Sequence, residues 1–206
     1  MQYITLRAKL KNLIIFTLND IRKVAPNFYR ARLNEWQNKN YIKKIRRGYY
    51  IFSDLSLDEN VLSLIANKLY SPSYISFETA LSHYGLIPEG VYSVTSASTI
   101  KTKSFKTPIG NFIYRKIKPA LFFGYSLEKQ NGQVYKIAEM EKAVLDYLYL
   151  NPKIANEADF YEWRFNSEEF LLHADMLKLQ HYAEAFKNKN LLARLKNLLN
   201  LIKQSK

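Results

Sequence analysis

Glu139, Lys142 and Asp146 come nearest to enzyme chemistry in this sequence: at i, i+3 and i+7 of a helical stretch they set an ammonium between two carboxylates. Two acids and a lysine could serve a metal-dependent nuclease, with residues 1–54 delivering nucleic acid to that centre. No further acidic motif stands at metal-ligand spacing, so the weightier reading is a string of ion pairs on a helix surface. The three histidines, His83, His173 and His181, have no partner at ligand spacing. The six glycines, at 48, 85, 90, 110, 124 and 132, are isolated and form no phosphate-cradling loop. No serine sits in a nucleophile elbow. Cysteine is absent, which excludes a thiol nucleophile, a disulfide scaffold and a thiolate zinc site. What remains is binding chemistry, with no cofactor and no catalytic residue expected.

That chemistry is cationic. The 206 residues carry 31 Lys/Arg against 18 Asp/Glu, a formal charge of +13, which makes a polyanion the default partner. The charge is segregated. Residues 1–54 hold 12 Lys/Arg and 3 Asp/Glu, a net of +9, while residues 55–100 sum to −3 and residues 119–176 to −5. Residues 101–118 and 177–206 return to +6 each. Nucleic-acid binding is therefore expected in the first quarter. A composition of 48% hydrophobic and 24% charged residues is that of a folding chain. The longest early apolar run, Leu13 to Phe16, is far short of the roughly 20 residues a membrane span needs, so a soluble cytoplasmic protein without membrane contact is expected.

The elements that would position the cations can be read in order. Residues 3–13 predict a helix, with Ile4, Leu6, Leu10 and Leu13 as its apolar stripe. Thr17 stands where an N-cap belongs, with Asp20 three residues on, before a second helix at about 18–25. Pro26-Asn27 breaks that helix and opens a third, running to Lys39. On a helical projection Tyr29, Leu33 and Trp36 share its core face, and Asn27, Phe28, Ala31, Arg32, Asn34 and Glu35 point outward with Arg30 on the flank. Tyr41 to Ile45 and Tyr49 to Phe52 then read as two strands around Arg46-Arg47-Gly48. Three helices followed by such a hairpin predict a winged helix-turn-helix over residues 1–54. In that reading Lys43, Lys44, Arg46, Arg47 and Tyr49 of the wing meet the phosphate backbone. Asn27 or Asn34 could read adenine, and Arg30 or Arg32 guanine.

Residues 55–206 predict a second, α+β unit. Helices are expected at about 59–70 and 76–84, five short strands over about 91–137 (91–97, 104–107, 111–118, 121–124 and 133–137), and helices again over 138–204. The predicted fold class is thus α+β, a winged helix-turn-helix followed by a mixed domain with a small sheet and C-terminal helices.

Three blocks carry a family likeness: Tyr74-Ile75-Ser76-Phe77-Glu78-Thr79-Ala80-Leu81-Ser82-His83-Tyr84-Gly85-Leu86-Ile87-Pro88, then Thr107-Pro108-Ile109-Gly110-Asn111-Phe112, then Ala138-Glu139-Met140-Glu141-Lys142-Ala143-Val144-Leu145-Asp146. In order and spacing they resemble the AbiEi-type antitoxins, as does the stretch from Asp159 to Phe186 with Trp163-Arg164. The resemblance implies an N-terminal winged helix that represses its own operon, binding double-stranded DNA at repeated half-sites. It also implies a C-terminal domain that counters a nucleotidyltransferase-type toxin in a type IV toxin–antitoxin, or abortive-infection, system, with no stable toxin complex assumed. This family often has a small residue or proline where Met140 stands. A nucleic-acid-processing enzyme, or a ligand-sensing regulator without a toxin, are the alternatives.

Overall fold

The computed structural model describes residues 1–88 and 92–204, a mixed α+β fold with a three-stranded and a six-stranded sheet. The first elements run α1 (Tyr3–Lys9), β1 (Phe16–Thr17), α2 (Leu18–Val24), α3 (Arg32–Asn38), β2 (Ile42–Arg46) and β3 (Tyr49–Phe52). β3 is the centre of an antiparallel sheet ordered β1-β3-β2. Helix, strand, helix, helix and a hairpin closed by that first short strand make up the winged helix that the sequence predicts. The two-residue β1 is too short to leave a periodic signal in the sequence.

One hydrophobic cluster lies wholly within this unit: Leu6, Leu10, Phe16, Ile21, Phe28, Leu33, Trp36, Ile42, Tyr50 and Phe52. A larger cluster fills the rest of the chain, yet Ile14, Ile15, Ile45 and Ile51 belong to it. β3 is accordingly covered on both faces, with Tyr50 and Phe52 turned to the winged-helix core and Tyr49 and Ile51 to the larger one. Its near-continuous burial follows, since a strand alternates in polarity only when one face meets water. The wing sheet is sandwiched between its own helices and the second unit.

That unit comprises α4 (Glu59–Leu69), β4 (Ser73–Ile75), α5 (Phe77–His83), β5 (Ser93–Ser98), β6 (Lys103–Thr107), β7 (Gly110–Lys116), a 3-10 turn at Pro119–Leu121, β8 (Tyr125–Gln130), β9 (Gln133–Ala138) and α6 (Met140–Leu150). Four further helices follow: α7 (Glu157–Glu162), α8 (Ser167–His173), α9 (Met176–Ala185) and α10 (Lys189–Gln204). The sheet order is β6-β7-β5-β4-β9-β8, with β4 antiparallel to β5 and parallel to β9. Two sequence expectations are corrected. The strand expected at 121–124 is a turn and loop, and its hairpin partner to β9 is β8, six residues of mixed polarity closed by Asn131-Gly132. The central β4, three buried residues ahead of the Ser76 cap, was not expected as a strand. The expected start of β5 at Val91 lies outside the described residues. No helix among the described residues is long and apolar enough to cross a membrane.

Candidate nucleic-acid interface

The outward face of the winged helix is set by how α2 and α3 are held. The Thr17 hydroxyl accepts the Asp20 amide at 3.3 Å and the Asp20 carboxylate accepts the Thr17 amide at 3.0 Å, a reciprocal cap that fixes the start of α2. Burial pushes the Asp20 carboxyl up, but the hydrogen bonds from Thr17 and the neighbouring Lys23 outweigh it and hold the group below its usual range. The turn then runs from Ala25 to Ala31, and α3 begins only at Arg32. Leu33 and Trp36 anchor α3 in the core, each 2% exposed.

Because residues 27–31 form a turn, the helical projection used for them does not apply, and two side chains exchange places. Phe28, expected to face DNA, is buried, its ring tilted against Trp36 with centroids 5.3 Å apart. Tyr29, expected in the core, is 73% exposed beside Arg30. Asn27, Arg30, Ala31 and Asn34 are exposed as predicted. Arg32 is half-buried; its guanidinium donates to the Met1 carbonyl and lies 5.9 Å over the Trp36 ring, so it ties the N-terminus to α3. Glu35, exposed on the same helix, pairs with Lys39 at 2.8 Å, which holds its carboxyl below the usual range. Asn27, Arg30 and Asn34 are therefore the expected base-reading groups that α3 and its turn leave exposed.

On the wing a bulge decides which cations are free. Lys44 pairs with Tyr50 and Arg46 with Tyr49, leaving Ile45 as the extra residue of β2. Unbroken alternation would turn Arg46 to the side of Lys44. The bulge turns both Ile45 and Arg46 toward the second unit. There Arg46 donates to the Leu69 carbonyl at the end of α4, at 3.1 Å, and stacks over the Phe105 ring at 4.2 Å. Arg46 is thus a strut between the wing and the second unit, which corrects its assignment to phosphate. Tyr49 likewise sits half-buried against the larger cluster, and Lys43 is half-buried across from Ile51. Lys44 and Arg47 are exposed. Ile42 and Ile45, three apart, fall on opposite faces of β2, one in each hydrophobic cluster, as plain alternation would place them, so the residue types carry no signal for the bulge that redirects Arg46.

The acid–lysine string also differs from its expected place on a helix surface. Lys142 and Asp146 are wholly buried and form an ion pair in which the Lys142 ammonium donates to Asp146 Oδ1. Tyr74 and Ser76 donate to Asp146 Oδ2 at 2.7 and 2.9 Å, and Lys142 also donates to the Tyr74 hydroxyl at 2.8 Å. Rings of Tyr74, Phe123 and Phe186 surround the ammonium at 5.0–5.3 Å. Desolvation draws the Lys142 pKa down and pushes that of Tyr74 well up; the carboxylate of Asp146 works against the first and adds to the second. Glu139 is apart from them, accepting from the Tyr182 hydroxyl at 2.8 Å and pairing with Lys178 at 3.3 Å. Residues of the first and third motif blocks therefore meet in one closed knot between β4 and α6. Gly124 permits it: with φ of +67°, a Cβ there would come within 2.9 Å of Tyr182 and 3.1 Å of the Lys142 stem.

A cleft of about 650 Å³ beside this knot is lined by His83, Tyr84, Glu139, Glu141, Glu169 and Lys178 among others. Among the described residues no group of three or more His, Asp or Glu side chains is placed to hold a metal ion. Comparison of the chain with known protein families and with curated proteins finds no match.

Proposed function

We propose that the chain is a DNA-binding transcriptional repressor, and that it acts as the antitoxin of a type IV toxin–antitoxin operon. The observation that carries the DNA half is the exposure, on one winged helix, of Arg30 and Asn34 at the recognition helix and of Lys44 and Arg47 at the wing. Cations at the wing neutralise phosphates and set affinity, while amide and guanidinium groups presented by the helix read base edges. Repeated half-sites, one per copy of the chain, fit this mode of docking.

The antitoxin half rests on the motif blocks that resemble AbiEi-type antitoxins. Lys142 and Asp146 saturate each other with Tyr74 and Ser76 out of reach of water, which favours a structural role for the third block over a nuclease centre. In this reading the chain catalyses nothing and offsets a nucleotidyltransferase-type toxin made from a neighbouring gene.

Two measurements test it. In footprinting on the DNA upstream of its own gene, Arg30→Ala and Asn34→Ala should each lower the preference for operator over random duplex by about 1–3 kcal/mol. Equal losses on both DNAs would remove base reading from α3. In co-expression with the neighbouring toxin gene, the full chain carrying Lys44→Ala and Arg47→Ala should lose repression and still rescue growth; failure to rescue would sink the antitoxin half.

A further inference from the structure

The C-terminal helices leave an apolar groove that nothing in the winged helix explains. It runs between α9, from Met176 to Glu184, and α10, from Leu192 to Lys203, and encloses about 730 Å³. On each helix the lining residues recur at i, i+3, i+4, i+7 and i+8, so each wall is a single stripe. Two such stripes on consecutive helices form the seat for a third. The stretch from Leu192 to Lys203 spans about 16 Å at 1.5 Å per residue, the length of three helical turns. Apolar surface continues past the rim, with Leu172 and Leu177 74% and 81% exposed.

Charge selects the occupant. Lys196 and Lys203, one heptad apart on the α10 wall, meet no carboxylate among the described residues. The opposite wall carries Glu184, whose carboxylate accepts from Gln180 at 3.3 Å. The lining carries Lys196 and Lys203 against the single acid Glu184, so a second copy of this surface would bring further net positive charge to it. A nucleic-acid duplex would set phosphates over a leucine floor. We propose that the groove docks a partner protein through a three-turn amphipathic helix with carboxylates seven residues apart along the edge that faces α10.

The test uses the full chain and labelled synthetic peptides of about 14 residues, each with a leucine stripe at i, i+3, i+4 and i+7. One peptide carries two glutamates seven apart on the flank, the other two lysines. The glutamate peptide should bind roughly tenfold more tightly than the lysine peptide, and Lys196→Glu with Lys203→Glu should reverse that order. Leu199→Gln, at the half-buried floor, should weaken both peptides while DNA binding stays at its wild-type value. Equal binding of both peptides that ignores the charge reversal would overturn the proposal, as would no binding of either. Sedimentation showing a dimer that Leu199→Gln dissolves would also overturn it, assigning the groove to a second copy.

Discussion

Side chains of one chemical type do different work in this molecule according to where the backbone aims them. Of the four wing cations, Lys44 and Arg47 stand in water, and Arg46 spends its guanidinium on the Leu69 carbonyl and the Phe105 ring. Arg46→Ala should therefore leave the salt dependence of DNA binding unchanged and lower the stability of the full chain by about 1–2 kcal/mol in chemical denaturation. The buried knot gives a sharper contrast. Removing one partner of Lys142–Asp146 strands the other charge without water, so Lys142→Met should cost about 3–5 kcal/mol. Lys142→Met combined with Asp146→Leu should cost less than that single change. At this scale sequence reading found the residues and misjudged their surroundings. The i, i+4 spacing of Lys142 and Asp146 serves a surface pair and a buried pair equally, and only Tyr74 and Ser76, some seventy residues away, decide between them.

Elements follow their local rules where those rules act alone. The Thr17–Asp20 cap is legible from two residue types three apart, and it forms. Asp20 has a folded pKa below its ordinary value, so its contribution is present above about pH 4 and is lost as pH falls through the folded value. Thr17→Ala should cost about 1 kcal/mol near neutrality. That deficit, measured by thermal melts, should shrink as pH drops below 4; a constant deficit would show that Asp20 takes no part in the cap. α3 shows where local rules fail. Asn27 could have capped a helix, but the chain turns until Ala31 so that Phe28 can fill the core beside Trp36. The bulge in β2 and the short β4 also escape periodicity, because burial against a distant unit, rather than alternation, sets them.

At the scale of the whole molecule, the wing sheet belongs to both hydrophobic clusters at once. Ile14, Ile15, Ile45 and Ile51 join it to the second unit, and the Gln133 side chain donates to the Asn12 carbonyl at 2.6 Å across the same seam. A charge plot along the sequence separates the first 54 residues cleanly but says nothing of this seam, whose isoleucines look like ordinary wing core. The seam leaves open the helix-turn-helix face and the exposed wing tip, the surface that the proposed repressor sets against duplex DNA. The most direct test is the slope of log K against log salt for the full chain on its upstream duplex, compared with the Lys44→Ala, Arg47→Ala variant. Two lost phosphate contacts should reduce the slope by about 1.8 and weaken binding on every DNA sequence alike. An unchanged slope would contradict the placement of DNA against the wing.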